Sequence, residues 1–110
     1  MIELRGYIDE NGNKRFAQWL EGLDAAAAAK VTIALARMEQ GNFSTVKGVG
    51  SGVFEYKIEF GPGYRIYFGK DGDRLVILIG GGTKIRQHQD IAAAQACWAA
   101  YKRRKKQEIQ

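Results

Sequence analysis

Between Val53 and Phe68 the chain reads VFEYKIEFGPGYRIYF, two alternating runs joined by a Gly-Pro-Gly turn. A strand turns successive side chains to opposite faces, so Phe54, Tyr56, Ile58 and Phe60 share one face and Glu55, Lys57 and Glu59 the other. Beyond Gly61-Pro62-Gly63, Arg65 and Tyr67 lie on one face, with Tyr64, Ile66 and Phe68 opposite. Such a hairpin commits the chain to an antiparallel sheet. If the aromatic faces point inward, Glu55, Lys57, Arg65 and Tyr67 come together on the solvated side. Arg74–Ile79, which contains LVILI, is apolar on both faces and reads as an interior third strand, reached through the turn Lys70-Asp71-Gly72-Asp73.

Upstream, the pattern changes to helical periods. Phe16, Trp19, Leu20 and Leu23 recur at the spacing of one helical face. Asp24 is placed to cap a second helix, with Val31, Ala34, Leu35 and Met38 on its stripe and Gly41-Asn42 as its stop. Ile2–Ile8 alternates loosely and reads as an edge strand. Residues 43–52 are polar and glycine-rich, which predicts a loop exposing Lys47. After the glycines at 80–82, Asp90 can cap a final helix carrying Ile91, Ala94, Trp98 and Tyr101 on one side. The prediction is one α+β domain over residues 1–110. It has a helical hairpin on one face of a mainly antiparallel four-stranded sheet, plus a C-terminal helix.

A chain of 110 residues can bury a core without covalent staples. Cys97 is the single cysteine, so an internal disulfide is excluded and a reducing cytoplasm fits best. It reads as a small core residue. One histidine and no Cys/His cluster leave no basis for a metal, and nothing points to another cofactor. No apolar run reaches the roughly 20 residues of a membrane span, and MIELRGYIDE lacks the apolar core of an export signal. The net charge is +5, yet residues 1–101 hold 12 basic and 11 acidic side chains. The excess sits in Lys102-Arg103-Arg104-Lys105-Lys106, a tail over about 102–110 that reads as a solvated end or as an electrostatic aid to RNA or ribosome binding. Within the body, the stretch from Lys47 to Arg86 is the basic half.

An ordered set of residues resembles the RelE/ParE superfamily of bacterial toxins, in particular the HigB-like "addiction module killer protein" branch. It comprises Phe16, Trp19-Leu20, Leu23, Gly41-Asn42-Phe43, Lys47, Gly50 and Glu55, then Gly61-Pro62-Gly63-Tyr64-Arg65-Ile66-Tyr67-Phe68. Gly81-Gly82-Thr83-Lys84, Gln87 and Asp90-Ile91 complete it. The resemblance implies the compact RelE-like fold. It also implies a toxin of a type II toxin–antitoxin pair that cleaves mRNA, in the manner of a ribosome-dependent, metal-independent endoribonuclease inhibiting translation. The implied partners are mRNA, the ribosome and a small antitoxin of helix-turn-helix type, with DNA contacted only through the antitoxin. Two alternatives stay open: a ParE-like toxin acting on DNA gyrase without nuclease activity, and an inactive relative that retains only antitoxin binding.

RNA cleavage by transesterification needs a base for the ribose 2′-hydroxyl, cations for the phosphorane and an acid for the departing 5′-oxygen. Arg65 is the candidate phosphate clamp, because its planar fork matches phosphate oxygens. The resemblance implies that a basic residue after the third strand, here Lys84 or Arg86, contributes charge stabilisation, and Lys57, on the same face as Arg65, is a candidate to share the phosphate. Glu55 and Tyr67 are candidates for proton transfer or substrate contact, although two cations beside Glu55 would favour its ionised form. Lys47, Arg86, His88, Lys102, Arg103 and Arg104 are candidate RNA or phosphate contacts. The blander reading pairs Arg65 and Lys57 with Glu55 or Glu59 across the strands. Many ribosome-dependent members of the superfamily place a Tyr or His near the chain's end. Here Gly80–Asp90 holds no tyrosine, and Tyr101 lies on the apolar stripe.

Overall fold

The Asp24 side chain accepts a hydrogen bond from the Ala27 amide at 2.8 Å, which satisfies one of the orphan donors at the start of a 15-residue helix. In the computed structural model, which describes residues 1–109, that helix is α2 (Ala25–Glu39). It follows β1 (Glu3–Gly6) and α1 (Arg15–Glu21). At its end, Gly41 takes φ of +82° and donates to Met38, while Asn42 donates to Arg37. These paired bonds from a left-handed glycine form a Schellman stop. Then come β2 (Val46–Gly48), β3 (Val53–Ile58), β4 (Tyr64–Asp71), β5 (Leu75–Thr83), a 3₁₀ turn at Lys84–Arg86 and α3 (Gln87–Ile109). Among the described residues, no helix is long and apolar enough to cross a membrane.

The architecture is α+β, with a five-stranded sheet in the order β1-β5-β4-β3-β2. β1 runs parallel to β5 and the other neighbours are antiparallel. The fifth strand is β2, which pairs Val46–Gly48 with Phe54–Tyr56 inside the stretch expected to be a loop. Three residues, the last of them a glycine, are too few for an alternation signal to register. The glycines at 80–82 likewise extend β5 instead of forming a loop. A bulge opposite Tyr67/Phe68 lets them stay in register with β4. The last helix begins at Gln87, so Asp90 lies within its first turn and is not the residue before it.

Both faces of the sheet are covered. The α1–α2 hairpin packs Phe16, Val31, Ala34 and Met38 against Tyr56, Ile66, Phe68, Val76 and Leu78. On the reverse face, α3 packs Ala94 and Trp98 against Val53, Tyr67, Ile77 and Ile79. The half-solvated sheet inferred from alternation is therefore corrected: α3 lies over the polar face. Close approach is possible because the strands carry glycine beneath it. A β-carbon on Gly69 would meet the Trp98 ring at 2.5 Å.

The basic tail is also corrected, from a solvated end to the last turns of α3. Arg104 donates to the Ile8 carbonyl at 2.6 Å and lies over the Tyr7 ring. Lys105 pairs with Asp71, which also accepts the Tyr101 hydroxyl. Lys102, Arg103 and Lys106 remain exposed. Cys97 is half-buried against the α3-side core, and burial pushes its thiol pKa up.

Candidate functional site

Strand register builds the site in two rows on the α3-facing side. Lys47 of β2 pairs with Glu55 of β3, Glu55 with Tyr67 of β4, and Tyr67 with Gly80 of β5. One pair further along, Lys57 of β3 stands opposite Arg65 of β4, itself opposite Gly82. The phase of alternation thus brings together Glu55, Lys57, Arg65 and Tyr67 as the sequence predicts. Their exposure differs from expectation. Glu55, Arg65 and Tyr67 are 1%, 4% and 1% exposed, whereas Lys57 stays outside.

Glu55 is held by three groups. Gln87, in the first turn of α3, donates its amide to Oε2 at 2.9 Å. Lys47 Nζ stands 3.6 Å from Oε1, and Arg65 Nε stands 3.8 Å from Oε2. The Arg65–Glu55 pairing weighed in the sequence is present, although at 3.8 Å it is an ion pair without a close hydrogen bond. Arg65 Nη1 donates to the Gly63 carbonyl at 2.7 Å, which ties the guanidinium to the turn between β3 and β4. Among the described residues, Arg65 Nε and the Tyr67 hydroxyl have no hydrogen-bond partner. A buried donor left so costs about 1–3 kcal/mol.

The Tyr67 phenol is raised well above its ordinary pKa, first by burial and then by the nearby Glu55 charge. It therefore stays protonated at neutral pH and can donate but not accept a proton as base. Asp90 is half-buried with its carboxylate against Gly82, where a β-carbon would fall 2.0 Å from Oδ2. Burial raises its pKa, partly offset by Arg86 and Arg15. Lys57 pairs along its own strand with Glu59 at 3.7 Å.

Arg65 reaches the surface in a cleft of about 320 Å³, lined also by Lys57, Lys84, Glu59, Phe60 and the Gly61-Pro62-Gly63 turn. Three cations thus converge there, with Arg65 as the buried one. Lys84 opens the 3₁₀ turn and is exposed. Arg86 and His88 are exposed on the following residues and do not line the cleft. Lys47 lies at the other row, against Glu55. Lys102, Arg103 and Arg104 sit in the last part of α3, beyond the residues that build the cleft.

The sequence reading did not single out Gln87, Glu59, Gly82 or the Gly63 carbonyl as site residues. Gln87 stood only among the residues that carry the resemblance, without a role, because its role depends on α3 crossing Glu55. The glycines did carry one: glycine on a strand face marks a place where something approaches closely.

No family model matches this chain. It is 41% identical over 81 residues to a Haemophilus influenzae protein described as uncharacterized, a match that covers 73% of this chain and 82% of that protein. On that identity and coverage, the chain belongs to the same family as the Haemophilus influenzae protein.

Proposed function

We propose that this protein is a cytoplasmic toxin of a type II toxin–antitoxin pair, of the HigB-like branch of the RelE/ParE superfamily, and that it cleaves mRNA at the ribosome. The carrying observation is the state of Arg65. It is a cation 4% exposed, with one hydrogen bond to a backbone carbonyl and a long 3.8 Å ion pair from Nε to Glu55, at a cleft that also presents Lys57 and Lys84. A buried guanidinium with a single close hydrogen bond keeps donors for a phosphate, whose oxygens match its planar fork.

In this reading, Arg65 holds the scissile phosphate through its fork, and Lys57 and Lys84 take up charge on the equatorial oxygens. Glu55 fixes Arg65 from behind, together with Gln87, and does not touch substrate. Glu59 is the carboxylate on the cleft wall, so it is the group placed to accept the 2′-hydroxyl proton; the 2′-oxygen bonds to phosphorus, the P–O5′ bond breaks, and the departing 5′-oxygen takes its proton from water. A small helix-turn-helix antitoxin, the ribosome and mRNA are the implied partners.

A second reading has a specific observation behind it. Glu55 is fully engaged, Tyr67 is sealed with a raised pKa, and His88 is outside the cleft. Fewer proton-transfer groups reach the cleft than a nuclease would use, which favours a ParE-like gyrase poison or an inactive relative. Induced expression in growing bacteria decides between them. Growth arrest with new mRNA 5′ ends inside codons supports the nuclease. Arrest with intact mRNA and impaired supercoiling supports the gyrase poison, and no arrest supports the inactive relative.

A further inference from the structure

Between α2 and β3 lies a groove of about 490 Å³, larger than the Arg65 cleft. Its floor is apolar, from Ala34, Tyr56, Ile58 and Ile33, the last 48% exposed. Its rim is basic. Lys30 and Arg37 stand on one wall, seven residues apart on α2, which separates them by about 10 Å along one helix face. Lys57, Glu59 and Phe60 line both this groove and the Arg65 cleft, so the two concavities adjoin at the end of β3, where a path passes from the α3-facing side of the sheet to the hairpin side. Along it run five cations, Lys84, Arg65, Lys57, Lys30 and Arg37, against one carboxylate, Glu59, already paired with Lys57.

Phe60 stands at the junction. Its ring stacks on Tyr64 with centroids 6.5 Å apart and planes at 25°, and Lys30 Nζ lies 5.3 Å from its centroid. A cationic channel with an aromatic ring beside the phosphate position is what a single strand of nucleic acid requires: charge for the backbone and a flat face for a base. We propose that single-stranded RNA runs from the Arg65 cleft into the α2–β3 groove, with one base taking the place of Lys30 over the Phe60 ring and backbone phosphates on Lys30 and Arg37. This extends the RNA-cleaving reading by giving its substrate a path. An acidic protein segment would also answer the basic rim. The aromatic junction and the continuity with the cleft favour RNA.

Binding of fluorescently labelled oligouridylates to the purified full chain tests it. One is short enough to fill only the cleft and the other long enough to enter the groove. The longer oligomer binds more tightly to the wild type. Lys30→Glu with Arg37→Glu, both at exposed positions that leave the fold intact by circular dichroism, removes that gain. The same pair lowers the salt slope by about 1.4 or more, the equivalent of two phosphates on a single strand. Phe60→Leu, which keeps apolar cover but removes the flat ring, weakens binding about fivefold or more. An unchanged affinity of the double variant for the longer oligomer overturns the groove path. If Arg65→Lys still weakens the short oligomer, the RNA reading itself survives. If neither oligomer binds the wild type at low salt, both fall. Binding of polyglutamate that is lost in the double variant, with RNA binding unaffected, overturns the path in favour of an acidic protein segment.

Discussion

Gln87 reaches across from the first turn of α3 to donate to Glu55 Oε2 at 2.9 Å, and the two residues are 32 positions apart in the chain. This bond joins the last helix to the third strand at the point where the sheet carries its buried charges. Replacing Gln87 by Ala leaves Glu55 with only longer contacts to Lys47 and Arg65. The expected loss is about 1–3 kcal/mol of stability, read from urea denaturation. A Gln87→Ala protein as stable as wild type would show that water replaces the amide fully.

Arg65→Ala is expected to abolish growth arrest and also to destabilise the fold by about 1–3 kcal/mol, because Glu55 then keeps only Gln87 and the exposed Lys47 as partners. Activity and stability are separated by adding Glu55→Gln. The double variant should regain part of the lost melting temperature and none of the toxicity. Recovery of toxicity in the double variant would assign Arg65 a purely structural role.

Gly82→Ala is expected to cost about 1–3 kcal/mol, since a β-carbon there would meet the Asp90 carboxylate at 2.0 Å. Gly82→Ala combined with Asp90→Ala should recover most of that loss. Equal melting temperatures for the single and double variants would mean that β5 itself shifts to accommodate the methyl group.

Stability should fall at both ends of the pH range for named reasons. Asp71 is lowered from its ordinary value by its bonds from Lys105 and Tyr101. Its contribution is present above the unfolded carboxylate pKa and is lost as pH drops through the folded one. Tyr101 is pushed up to about 12, chiefly by burial and by the same Asp71 bond. Its contribution is complete below the unfolded phenol value near 10 and disappears as pH climbs towards 12. Phenolate absorbance should show a late-titrating fraction that shrinks in Tyr101→Phe. No such change would dissociate Tyr101 from the alkaline limb.

Truncation after Tyr101 should lower stability as well as RNA affinity, because it removes the Arg104–Ile8 bond and the Lys105–Asp71 pair. Arg103→Ala with Lys106→Ala isolates the electrostatic part, as both side chains are exposed. The melting temperature should hold while the salt slope of RNA binding decreases. An unchanged slope would leave the tail a structural role alone.

Much of this arrangement was written in the period of the sequence. The alternation of Val53–Phe68 fixed which residues face together, and the hairpin, its Asp24 cap and its Gly41 stop were each legible from local chemistry. What alternation cannot encode is what lies above a face. The stripe Ile91, Ala94, Trp98 and Tyr101 shows that α3 buries one side, and it does pack on the sheet, but nothing in the stripe says which face of the sheet it covers. Its consequence for Glu55, Arg65 and Tyr67 emerges only when Gly69 and Gly82 are recognised as openings for it. β2 escaped because three residues beside glycines carry too little pattern.

The parallel pairing of β1 with β5 sets Glu3 beside Leu75, and Arg104 is bonded to Ile8 across 96 positions. Closing such distant contacts is slow relative to local ones, because chain ordering precedes the reward. During synthesis, the first strand therefore waits without its neighbour until most of the chain has emerged, and the last helix arrives after everything it must cover. In the proposed reading Arg65 is steadied by Glu55, and Glu55 by Gln87 of α3, so the clamp is complete only once that late-arriving helix has docked.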